Sequence, residues 1–227
     1  MPAATPTLSP AALARCIPFF VFMALLALRG YLPESLGIDT RWIYGGQALI
    51  VGALLAWYWR GYGELARQNL PDARDTGLAV LVGIVVFAVW VRLDASWMQL
   101  GAATATFVPL DATGQPIWTL IVLRMMGAVL VVPVMEELFW RSFLMRWVEN
   151  PSFERVDPHS VGVKAIVLST FVFTLAHTLW LAAVIAGLAY AWLYRRSGKL
   201  WTAVIAHGVT NGLLGIWVVW TGRWEFW

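Results

Sequence analysis

Six polar side chains stand in otherwise apolar stretches: Glu136, Glu137 and Arg141 in one, His177 in a second, His207 and Asn211 in a third. Residues four apart share a helix face. On helices, Glu137 and Arg141 can therefore pair, Phe173 and His177 share a face, and so do His207 and Asn211. Glu136 is rotated by about 100° from Glu137 and faces a neighbouring segment. Charged groups within a membrane span cost about 2.5–3.5 kcal/mol each on insertion scales, so their presence asks for a reason.

A carboxylate in apolar surroundings becomes a better base. A histidine beside it can share a water and relay its proton. A second histidine and an asparagine amide can donate to a developing oxyanion. Together these parts suit the addition of water to a peptide carbonyl. No serine or cysteine stands in a nucleophile setting, and Cys16 has no histidine near it in sequence.

Each group alone has a plainer reading. Glu137–Arg141 is a structural ion pair, His177 caps a helix end or sits at the interface, and His207 with Asn211 is interhelical hydrogen-bonding glue. His159, in the polar stretch Val156–Ser160, reads as a loop histidine. The argument for chemistry comes from the set.

The elements that carry these groups follow from composition. Of 227 residues, 60% are hydrophobic and 13% charged, against about 45–50% and 25% in an average soluble domain. That excludes disorder, collagen, coiled coil and a disulfide scaffold, and it points to an integral membrane protein. The net charge of +3 is spread over loops and makes no nucleic-acid patch. The 15 Trp read as interfacial anchors with no part in catalysis.

Seven stretches are apolar enough for spans: about Leu13–Leu28, Trp42–Trp59, Gly77–Leu93, Ile117–Val148, Val161–His177, Leu179–Arg195 and Leu200–Trp220. Ala95–Gln115 reads as a loop. The fourth stretch exceeds a bilayer core and should kink at Pro133. The expected fold is an all-α polytopic transmembrane bundle of about seven (six to eight) spans. It forms one integral membrane domain over 1–227, with the active site in an intramembrane cavity. His177, at the far end of its stretch, must still come within single-water reach of Glu136. The bend at Pro133 and a short embedded turn at His177–Leu179 would allow it.

With the N-terminus on one side, that side carries 10 basic residues (Arg15, Arg60, Arg67, Arg74, Arg146, Arg155, Lys164, Arg195, Arg196, Lys199) and the other side 4. The positive-inside rule makes the first side cytoplasmic. Seven spans then leave the C-terminus outside.

Glu136-Glu137-x-x-x-Arg141, Phe173-x-x-x-His177 and His207-x-x-x-Asn211 resemble, in order and on separate spans, the three motifs of the CPBP family. This family comprises the type II CAAX prenyl endopeptidases and the bacteriocin-processing or immunity (Abi) proteins. The motif-bearing core covers 132–212. Glu136–Trp147, together with Tyr62-Gly63-Glu64-Leu65, is similar to the CAAX-protease-related branch beside exosortase sorting systems. The resemblance implies a glutamic-type intramembrane endopeptidase of the cell membrane. In it Glu136 and His177 would activate water, and His207 and Asn211 would stabilise the oxyanion. Glu137 and Arg141 would hold the site, and Phe173 would pack under His177. The implied partners are a hydrophobic or lipidated C-terminal peptide, the bilayer and an exosortase-type system. No cofactor is implied. Zinc on a glutamate and two histidines is the minor alternative, without HExxH spacing. Competing readings are a non-catalytic immunity or scaffold protein of the same fold and a small transporter, the latter disfavoured because no repeat is visible.

Overall fold

The computed structural model describes residues 9–29, 39–101 and 107–227. Residues 1–8, at the N-terminus placed on the cytoplasmic side, and 102–106, within the expected loop, lie outside the described residues. Seven helices occupy the seven apolar stretches: α1 (Pro10–Arg29), α2 (Ile43–Tyr58), α3 (Ala73–Trp90), α4 (Trp118–Glu149), α5 (Val163–Leu175), α6 (Trp180–Ser197) and α7 (Leu200–Thr221). Among the described residues there is no strand, only one isolated bridge between Leu110 and Pro116.

Local chemistry sets the helix ends. Ser9 Oγ accepts from Ala12 N at 3.1 Å, and Pro10 follows at the first helical position, where its missing N–H costs nothing. Asp72 caps α3 by accepting from Asp75 N at 2.8 Å. Gly198 (φ +68°) closes α6, a left-handed position that favours glycine.

Four helices are long and apolar enough to cross a membrane: Pro10–Leu28, Ala73–Trp90, Trp118–Glu149 and Leu200–Thr221. The others fall short for physical reasons. α2 has 16 residues, and α6 ends on Arg195 and Arg196. α5, with 13 residues, rises only about 20 Å, less than the ~30 Å hydrocarbon core. α5 is therefore shorter than the expected Val161–His177, and His177 lies in the turn beyond it. That turn is covered by the 95–101 segment: Leu100 N donates to Thr178 O at 2.7 Å and Trp180 Nε1 to Trp97 O at 3.1 Å.

α4 is continuous, as expected, but Pro133 acts differently from a simple kink. The helix passes through two π-helical stretches, Gly127–Val131 just before the proline and Leu138–Met145 after the glutamates. π turns are rare and gather at functional sites.

α7 is the axis of the bundle and packs on α3, α6 and α4. Its approach to α3 requires Gly83, where a Cβ would meet Ala206 O at 2.5 Å and Val209 Cβ at 2.8 Å. Gly83→Ala is expected to force α3 off α7 and lower stability by about 1–3 kcal/mol through overpacking. Thermal unfolding in detergent checks it; an unchanged midpoint contradicts this packing.

Candidate active site

The two adjacent glutamates of α4 meet opposite surroundings. Glu137 is 0% exposed and held by two partners. Its Oε1 accepts from Arg141 Nη1 at 3.2 Å and from His207 Nδ1 at 2.9 Å, and its Oε2 lies 3.2 Å from Arg141 Nε. Glu136 is half-buried, and its buried Oε2 has no hydrogen-bond partner among the described residues. A buried oxygen without a donor is costly to keep.

The expected Glu137–Arg141 pair is present, and it does more than pair. Arg141 Nη2 also donates to Gly187 O at 3.2 Å, and its guanidinium lies over Phe173 at 4.7 Å and Tyr190 at 5.5 Å. Phe173 packs under His177, with ring centroids 4.3 Å apart, so one ring supports both Arg141 and His177.

His177 shows why the motif spaces Phe and His by four. Its Nδ1 lies 2.8 Å from Phe173 O, which also accepts from Ala176 N at 3.2 Å at the end of α5. A carbonyl only accepts, so Nδ1 carries the proton and neutral His177 turns a lone pair outward at Nε2. The capping reading and the catalytic reading thus describe one geometry. The charges of Glu136 and His207 both act on His177, and Trp90 stands edge-on to it at 5.8 Å.

His207 is buried at 6% exposure and stacks on Tyr190 at 5.1 Å. Its bond to Glu137 fixes the ring, since a carboxylate accepts and Nδ1 must donate. Gly208 beside it sits against Val129 O, 3.2 Å from where a Cβ would be. Pro133, four residues on, cannot bond that carbonyl. Asn211 Nδ2 donates to Ala128 O at 2.8 Å, which ties α7 to α4 two turns before Glu136. Asn211 lines a cavity of about 250 Å³ with Tyr44, Ala128 and Val132. Among the described residues no three His, Cys, Asp or Glu side chains gather in a metal-holding arrangement.

The structure thus joins His207 directly to Glu137, and Asn211 to the α4 backbone. His159 is an exposed loop residue, as expected. Two expectations need correction. The tryptophans are not all anchors: Trp140 is 3% exposed and meets Phe173 at 5.7 Å, and Trp90 faces His177. Arg15 and Arg146, counted as cytoplasmic loop charges, are buried at 3% and 7% exposure and tied to Glu64. Spacing gave no hint of Tyr44, which lines the cavity with Asn211, or of Tyr190, which stacks on His207.

No curated protein and no solved structure matches the chain. Residues 115–213, which contain all three polar patterns, match the family model described as type II CAAX prenyl endopeptidase Rce1-like.

Proposed function

We propose that this chain is a glutamic-type intramembrane endopeptidase. It would cleave a peptide bond near the C-terminus of a membrane-associated or lipidated protein, in the cell membrane, with its N-terminus in the cytoplasm. The observation that carries the reading is the contrast within one helix: Glu137 is paired with Arg141 and His207, while Glu136 makes no hydrogen bond or ion pair among the described residues.

Water held between Glu136 and His177 Nε2 loses a proton to Glu136 and attacks the peptide carbonyl. The oxygen that becomes negative is met by the Asn211 amide, which keeps a second N–H beyond the one on Ala128 O. His207 Nε2, when protonated, is the other donor. Glu137 stabilises positive charge on His207, and Arg141 balances Glu137. Collapse of the tetrahedral adduct breaks the C–N bond, and the proton taken by Glu136 passes to the leaving amine. Sorting of membrane proteins, beside an exosortase-type system, is the role this substrate class suits.

The test is mass spectrometry of peptides incubated with the purified chain in phospholipid vesicles. One peptide carries an apolar C-terminal tail and one a C-terminal prenylated cysteine motif. Cleavage that persists after exhaustive chelation is the expected result. Cleavage lost on chelation and restored by zinc would move the reading to a zinc enzyme. No cleavage of either peptide, with binding retained, would favour the non-catalytic scaffold.

A further inference from the structure

A second set of buried charges lies at the opposite end of the catalytic helix, outside the matched segment in part. Its centre is Glu64, in the short loop between α2 and α3, 13% exposed at the side chain. Arg15 of α1 grips it with Nη2–Oε2 at 2.6 Å and Nε–Oε1 at 2.9 Å. Ser142 Oγ donates to Glu64 Oε1. Arg146 lies 3.7 Å from the same oxygen and donates from Nη2 to Ser142 Oγ at 2.8 Å and from Nε to Ser142 O at 2.6 Å.

The loop is itself pinned on both sides of Glu64. Tyr62 OH donates to Ala14 O at 2.7 Å, and Trp201 Nε1 donates to Leu65 O at 3.1 Å. Tyr62-Gly63-Glu64-Leu65 therefore joins α1, α4 and α7. Burial pushes the Glu64 carboxyl up. The Arg15 hydrogen bonds and charge, with the Ser142 hydroxyl, outweigh that and hold it below the usual carboxylate range. One carboxylate thus sits between two buried guanidiniums that would otherwise repel each other.

Ser142 lies inside the π-helical stretch Leu138–Met145, directly after Arg141. An α-helix is the ordinary state of such a stretch, and π turns persist where tertiary contacts impose them. Slipping back by one residue would turn the side chains beyond the slip by about 100°. Arg141 would then leave Glu137, and the carboxylate that holds His207 Nδ1 would lose its counter-charge.

We propose that Glu64 is a positioning residue: from the loop before α3 it locks the π-helical register of Leu138–Met145 and so holds Arg141 against Glu137 and His207. Its consequence for catalysis rests on the endopeptidase reading; the lock itself does not, and it is testable without a substrate.

The experiment uses the full chain in detergent micelles. Backbone amide exchange is read by mass spectrometry and the His207 ring by NMR of ¹⁵N-histidine-labelled protein. Glu64→Gln is expected to speed exchange over residues 138–146 by about tenfold or more and to shift the His207 signal, while residues 200–221 keep their protection. Ser142→Ala keeps the Arg15–Glu64 pair but leaves Arg146, at 3.7 Å, as its one tie to α4 among the described residues, and it is expected to show the same pattern more weakly. Glu154→Gln, which lines a cavity together with Arg15, Glu64 and Arg146, is expected to change neither readout. With the apolar-tail peptide, Glu64→Gln should lower kcat and leave KM near the wild-type value. Wild-type exchange and an unmoved His207 signal in folded Glu64→Gln overturn the proposal, as does a uniform rise in exchange along the chain. Failure to find any cleavage leaves the exchange prediction standing, so the two ideas fail separately.

Discussion

Glu136→Gln is expected to lower kcat for tail-peptide cleavage by about 10²–10⁴-fold, the usual worth of a positioned general base. The change keeps the side chain's shape and removes only its basicity. KM should stay close to the wild-type value, because Glu136 has no recorded bond that would position substrate before reaction. Stability should move by less than about 0.5 kcal/mol, since no hydrogen bond to the carboxylate is lost among the described residues. Cleavage kinetics and thermal unfolding on the same preparation check both halves. Full cleavage by this variant would falsify the enzyme reading outright. A large loss of stability would instead make Glu136 a structural carboxylate like its neighbour.

How much of this was legible in the sequence depends on the range of the interaction. Four-residue spacings are local, and each found its counterpart. Glu137 meets Arg141, Phe173 underlies His177, and His207 and Asn211 both turn toward α4. The apolar stretches likewise became the helices, because length and hydropathy are properties of a segment. Two things depended on contacts between segments and were hidden. Hydropathy cannot show that α5 would stop at Leu175, which leaves His177 in the turn beyond the helix. Nor can spacing on one helix show that Arg15 would turn inward to a loop glutamate 49 residues away. The π-helical stretches are invisible for a similar reason, since Leu138–Met145 has an ordinary helical sequence and its register is imposed by Glu64 and Glu137 from outside.

Arg141→Met is expected to be the most destabilising single change near the site, by about 3–5 kcal/mol. Glu137 is 0% exposed, and Arg141 is the only arginine or lysine paired with it among the described residues. Removing the guanidinium strands a carboxylate in an apolar core. It also frees Gly187 O and takes the cation from over Phe173 and Tyr190. The double variant Arg141→Met with Glu137→Leu separates structure from chemistry. Replacing a buried pair by apolar groups of similar size is often neutral or stabilising, so the double variant should regain much of the stability lost by Arg141→Met alone. Activity should not return with it, because His207 Nδ1 no longer has the carboxylate that fixes its ring. Unfolding midpoints and cleavage rates of the three variants decide the matter. Recovery of both quantities together would mean that Glu137 and Arg141 serve the fold alone, and recovery of stability without activity assigns them to the orientation of His207.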